Sequence, residues 1–254
     1  MPHVASRVCL VTGAGRGIGR AVAIALSSAG HRVALSARST DELAETAALC
    51  GTEALVVTAD LTDPTAAATV FDQVEASLGP VDILVANAGS AISAPIVRTS
   101  DDDWQRMLDI NLTAPFRCIR RALPNMLERR WGRIVVIGSV ASRQGAPYIA
   151  AYVAAKHGVL GLVRSAAAET VRTGVTVNAV CPAFVDTPMT ETTIANIVAK
   201  TGRSPEQALA ELAGRQPINR LITTDEVAAA VMFCIDNGAV TGQGINVDGG
   251  TVQS

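Results

Sequence analysis

The chain has 254 residues, 49% hydrophobic and 17% charged, with a formal net charge of −2. That length suits one α/β sheet with a large core. The near-neutral charge argues against a nucleic-acid binder, and no apolar run reaches the ~20 residues that span a bilayer, so neither partner is expected. In chain order, strands are predicted at 7–12, 32–37, 54–58, 81–86, 133–138, 175–180 and 243–247. Helices are predicted near 17–29, 41–49, 64–78, 101–130, 151–173 and 224–236. Strands such as I-V-V-I-G and V-T-V-N-A-V are apolar throughout, as in a sheet covered on both faces. The alternation predicts an α/β fold, a doubly wound parallel sheet in a single domain over 1–254, with its site at the strand C-terminal ends.

The first strand, Arg7 to Thr12, runs into G-A-G-R-G-I-G (Gly13 to Gly19) and then an alanine-rich helix that Gly30 ends. Strand, glycine turn and helix in this order form the first half of a dinucleotide-binding unit, in which a helix N-terminus faces a pyrophosphate. The spacing Gly13, Gly17, Gly19 differs from G-x-G-x-x-G, and glycine turns also arise for structural reasons alone. At the end of the second strand an acid would hold the ribose hydroxyls of NAD. Here Ala37 is followed by Arg38, with Arg16 in the glycine loop. Two guanidinium groups suit a 2′-phosphate, so NADPH is expected, with NAD(H) kept open. The plainer reading is a surface Arg38 lying over the adenine ring.

Before D-D-D-W, Thr99 or Ser100 is expected to cap the long helix, and Pro115 should kink it, because the carbonyl of Asn111 loses its i+4 donor. The charged E-R-R-W-G-R (Glu128 to Arg133) reads either as a dock for an acidic carrier or CoA phosphate, or as a solvated helix end. Ser139 closes an apolar strand, and Tyr152 and Lys156 stand one helical turn apart in A-Y-V-A-A-K. A cation there should favour the phenolate and lower a pKa that is ordinarily ~10. Ser139 would then hydrogen-bond a substrate oxygen while Tyr152 moves the proton. Residues 188–217 read as a helical substrate lid, broken at T-G-R-S-P. S-A-I-S-A-P (Ser90 to Pro95) and Q-G-A-P-Y-I (Gln144 to Ile149) carry no cation for a substrate carboxylate. The five cysteines lack C-x-x-C spacing and the three histidines are scattered, so reduced thiols and no metal are expected. M-P-H-V-A-S leads straight into the first strand, and the expectation is a cytoplasmic protein without a signal peptide.

Together these residues resemble the short-chain dehydrogenase/reductase family, 3-oxoacyl reductases included, from Arg7 to Gly250. The resemblance implies catalytic Asn111, Ser139, Tyr152 and Lys156, with Asn111 holding a water that relays protons toward the lysine. It implies cofactor contacts from Gly13, Arg16, Gly17, Ile18, Gly19, Arg38, Asp60, Leu61, Asn87, Ala88, Gly89, Tyr152, Lys156, Pro182, Val185 and Thr187. Ala86 and Ala183 depart from the family's usual asparagine and glycine without removing a catalytic side chain. The expected function is an NADPH-dependent carbonyl reductase of a 3-oxoacyl thioester, carried on acyl carrier protein or CoA, or of a related ketone. An NAD-linked secondary-alcohol or 3-hydroxyacid dehydrogenase is the alternative within the family, and a non-catalytic NAD(P)-binding regulator the alternative outside enzymes. Family members are commonly homotetramers, which the resemblance extends to this chain.

Overall fold

Successive residues of the first strand feed opposite layers of the molecule. In a computed structural model, which describes residues 6–253, Val8 and Leu10 of β1 (Val8–Thr12) join one apolar cluster, and Cys9 and Val11 join another. This is why the strand is apolar throughout: both of its faces are core. The other strands are β2 (Arg32–Ala37), β3 (Leu55–Thr58), β4 (Ile83–Ala86), β5 (Gly132–Ile137), β6 (Val175–Pro182) and β7 (Gly244–Val247). They form one seven-stranded sheet in the order β3-β2-β1-β4-β5-β6-β7, and every pairing is parallel. Strand order reverses between β1 and β4, which opens a crevice beyond their C-terminal ends.

One layer is built on α3 (Ala66–Leu78), α5 (Ala114–Glu128) and α6 (Ala150–Thr170), with Phe71, Met126 and Val159 buried against the sheet. The opposite layer comes from α1 (Gly17–Ser28), α2 (Thr40–Leu49) and α9 (Thr224–Asp236), through Leu26, Leu43 and Val231. Two further helices, α7 (Pro188–Thr201) and α8 (Pro205–Gly214), occupy the segment read as a lid, and Gly202, at φ +70°, closes α7 between them.

The helix expected over 101–130 runs from Asp101 to Glu128 and widens in its middle. It divides into α4 (Asp101–Leu108), a π turn (Asp109–Thr113) and α5. Pro115 offers no N–H, and the chain widens just before it: Ala114 N donates to Asp109 O, one residue further back than in an α-helix. The expected kink is therefore a π turn, and Asn111 sits inside it. Ser100 caps α4 by accepting from Asp103 N at 3.1 Å, whereas the Thr99 hydroxyl donates back to Pro95 O. The cap is thus Ser100, not Thr99.

Candidate active site

The glycine turn is shaped by close approach. Gly13 and Gly17 have φ of +64° and +54°, and a Cβ on Gly19 would fall 2.2 Å from the carbonyl oxygen of Gly13. Among the described residues, four α-helices have N-termini capped by a serine or threonine side chain, namely α2, α4, α8 and α9. The first turn of α1 has neither such a cap nor an acidic residue. Since α1 starts at the glycine turn directly after β1, its free N–H groups and positive dipole end lie at the strand C-terminal ends, as an anion site requires. Arg20 and Thr46, which the sequence did not single out, hold the turn from behind. Arg20 Nε donates to Gly15 O at 3.0 Å, and the Thr46 hydroxyl lies 3.0 Å from Ala14 O. Asn87 plays a similar part: its amide donates to Thr12 O and Gly13 O, both at 3.0 Å. Thr12 Oγ1 in turn accepts from the N–H groups of Asn87 and Ala88. Asn87 is thus a clamp between β4 and the glycine turn, with its amide hydrogens already engaged.

Ser139 follows β5 and caps a short 3-10 turn, Val140–Ser142. Its Oγ accepts from Ala141 N at 3.1 Å, which leaves its own proton to donate elsewhere. Tyr152 and Lys156 come from the first turns of α6, and Lys156 is buried. The Lys156 ammonium donates to Ile137 O at 2.8 Å and lies 5.6 Å from the centre of the Tyr152 ring. Burial lowers its pKa to about 8, so it keeps its charge at neutral pH. Tyr152 shifts the other way from the expectation. Burial raises its phenol above the ordinary range, and the hydrogen bond with Ser139 offsets only part of that. The ammonium is tied to a backbone carbonyl on one side of the ring, and desolvation prevails.

Asn111 supplies the fourth group. Its amide donates to Ser90 O at 2.9 Å and Met107 O at 3.0 Å, while its Oδ1 is buried without a hydrogen-bond partner. A Cβ on Gly89 would lie 2.8 Å from that oxygen and 3.8 Å from Lys156 Nζ, so the two groups flank the same glycine. An orphaned acceptor beside an ammonium is a site suited to a bridging water.

Past β6 the chain forms a strap. Val185 O accepts from the hydroxyls of Thr190 and Thr187, and Thr187 packs against Gly17, where a Cβ would meet its methyl at 3.2 Å. Pro182 is held in the sheet opposite Val247. Gln216, fully buried, bonds both the N–H and the carbonyl of Phe184 at 3.2 Å and reaches Arg220 O at 2.6 Å. No sequence signal marks Gln216, because its partners are backbone groups, those of Phe184 lying 32 residues away.

A sequence model of the short chain dehydrogenases matches residues 7–197. The chain belongs to that family. A D-beta-hydroxybutyrate dehydrogenase of Rhizobium meliloti (strain 1021) is 35% identical, with 96% of this chain and 98% of the relative covered. A 3-oxoacyl-acyl-carrier-protein reductase of Staphylococcus aureus (strain Mu50) is also 35% identical, over 96% of this chain and 98% of its own. Among solved structures, a variant of actinorhodin polyketide ketoreductase with NADPH superposes with a TM-score of 0.93 at 39% identity, covering 97% of both chains. As a short-chain dehydrogenase, the protein is an oxidoreductase acting between hydroxyl and keto groups.

On the rim of this short-chain dehydrogenase's crevice, Arg38 is exposed and helps hold the Asp60 carboxyl below its usual range, after the hydrogen bonds from Thr62. Arg16 is engaged in an exposed ion pair with Glu42 at 3.2 Å. Ile18 packs against the core, and Leu61 is buried within it, so their side chains serve packing. The charged segment Glu128 to Arg133 lies elsewhere, at the opposite end of β5 from Ser139. Arg129 pairs with Asp82 at 2.6 Å, and Arg133 donates to the carbonyls of Ile235, Gly132 and Gly174. Within one chain it is a structural corner and does not border the crevice. Among the described residues, no group of three or more His, Cys, Asp or Glu could hold a metal ion, and no helix is long and apolar enough to cross a membrane.

Proposed function

We propose that this short-chain dehydrogenase is an NADPH-dependent carbonyl reductase of a 3-oxoacyl thioester or a related neutral ketone. One observation carries the reading: Ser139, Tyr152 and a charged Lys156 converge at the strand ends beside the uncapped N-terminus of α1. The cradle fits a dinucleotide. Gly13 and Gly17 bring backbone close to it, the α1 amides face a pyrophosphate, and Arg38 offers charge-assisted bonds to a 2′-phosphate. Asp60, Ala88 and Gly89 would border the adenosine half, and Lys156, Pro182, Val185 and Thr187 the nicotinamide half. NADPH, when bound, supplies hydride.

The chain's own residues handle the proton. Ser139 donates a hydrogen bond to the carbonyl oxygen, and Tyr152 transfers its proton to that oxygen as the C=O becomes an alcohol. A phenol whose pKa is raised by burial is fully protonated at neutral pH, which suits the reductive direction. Lys156 stabilises the phenolate left behind, and a water on Asn111 Oδ1 would carry a proton back toward it. Neither 90–95 nor 144–149 contains a cation, which disfavours a small hydroxy acid such as the substrate named for the Rhizobium relative. Helices α7 and α8, over 188–217, would close over the substrate as a lid within the single domain. Half-exposed Trp104 and Phe116, on α4 and α5, support a covered face in a homotetramer.

The test is oxidation of NADPH and of NADH, followed by fluorescence, over 3-oxoacyl thioesters, simple ketones and 3-hydroxybutyrate. Turnover of thioesters with NADPH is expected. A preference for NADH with 3-hydroxybutyrate would replace this reading by the dehydrogenase one, and cofactor binding without any turnover by the regulator one.

A further inference from the structure

Among the described residues, four non-glycine residues have positive φ: Arg130, Tyr148, Arg172 and Asn219. Three have local reasons. Arg130 and Arg172 follow the C-caps of α5 and α6, and asparagine tolerates the left-handed region. Tyr148, at φ +68°, stands in the loop before α6, four residues ahead of Tyr152, where a bulky side chain with this backbone is an outlier. Its conformation is enforced across the cleft, since Tyr148 O accepts from Ala94 N at 2.8 Å. Strain held by surrounding structure is characteristic of ligand clamps.

The ring does not serve the core: Tyr148 is 63% exposed. Ile96 and Val97, shortly after its partner Ala94, are 74% and 88% exposed, so the mouth has an apolar rim. A small, mostly apolar hollow below is lined by Ile92, Ala94, Met107, Tyr148, Ala150 and Ala151, with Thr99 and Asp103 as its polar members. Met107 holds the Asn111 amide, and Ala151 precedes Tyr152, which places the hollow beside the reacting groups.

We propose that Tyr148 is a specificity-determining residue whose ring receives the apolar, non-reacting end of the ketone substrate, an aryl or extended acyl group. This rests on the carbonyl-reductase reading above. The absence of cations in both loops points the same way, toward a substrate whose far end is apolar.

The test is the Tyr148→Gly variant. Glycine accepts φ +68° freely, so the ring is removed while the bond from Ala94 can stay. Steady-state kinetics with NADPH would compare 3-oxobutanoyl and 3-oxo-5-phenylpentanoyl N-acetylcysteamine thioesters. The ratio of kcat/KM, aryl over short, should fall about tenfold, the scale of a lost aromatic contact, with the change in KM. Tyr148→Phe should keep the ratio, and Tyr148→Asn, which also tolerates this backbone, should lose it. The Tm of the glycine variant should equal or exceed that of the wild type. An unchanged ratio in an active Tyr148→Gly enzyme overturns the role of Tyr148 alone. So does an equal loss on both thioesters accompanied by a lower Tm. A wild type that reduces neither thioester overturns the carbonyl-reductase reading and this inference with it.

Discussion

At the N-terminal end of the strands, Arg129 closes on Asp82, Arg7 stacks over Trp131 at 3.9 Å, and Arg133 caps three carbonyls. At the C-terminal end several polar groups are left open. Arg38 is exposed, the first-turn amides of α1 have no cap, and Asn111 Oδ1 is buried without a partner. The same residue types thus make their bonds at one end and are left partly free at the other. What separates structural from functional polarity here is whether the hydrogen bonds are already made.

Tyr152→Phe, at the open end, should separate the two most sharply. Loss of the acid should lower kcat by about 10²–10⁴ while the NADPH Kd and the unfolding midpoint stay near wild type. Retained turnover in a steady-state assay would remove Tyr152 from the chemistry. Asp82→Ala, at the closed end, should do the reverse. It strands Arg129 and the Val8 N–H, which donates to Asp82 at 3.0 Å, and should cost about 2–3 kcal/mol in urea unfolding with kcat little changed. A large loss of kcat without a loss of stability would mean that the two ends are coupled.

Lys156→Met should sharpen the contrast within the open end. Burial lowers the lysine to about 8 from an ordinary 10.5, so below pH 8 the folded state carries a charge that it disfavours. Between pH 8 and 10.5 the unfolded chain binds more protons, and wild-type stability should rise with pH. The variant lacks this rise, so its stability relative to wild type should fall by about 3 kcal/mol from pH 7 to pH 10.5, on the scale of ~1.4 kcal/mol per pH unit. Parallel pH profiles in denaturant melts would show that the ammonium is not desolvated. The smallest effect is expected for Arg38→Ala. Its bonds to a 2′-phosphate would be screened at an exposed site, so NADPH should bind about tenfold more weakly while NADH barely changes. Equal losses for both cofactors in fluorescence titrations would assign Arg38 to the adenine ring.

Much of the fold was legible because its signals are local. Apolar strands mark a two-faced sheet, and Gly30 and Ser100 mark a helix end and a helix start. The long helix over 101–130 was read with a kink at Pro115, and the structure has a widened turn there instead, since whether proline produces a kink or a widened turn depends on what packs around it. The direction of the Tyr152 shift was misread for a related reason: i,i+4 spacing reports proximity to Lys156, but the pKa follows enclosure, which no spacing encodes.

By itself the sequence determined the glycine turn and the parallel sheet, which are written in short runs of neighbouring side chains, and through its family resemblance it nominated four candidate catalytic residues. Only the tertiary structure decided which polar groups are spent. It turned Asn87 into a clamp, Gln216 into a brace for the strap, Glu128 to Arg133 into a corner, and Tyr148 into a strained residue at the mouth. The reason is physical: a hydrogen bond between residues far apart in the chain consumes a donor without leaving any trace in the sequence around it.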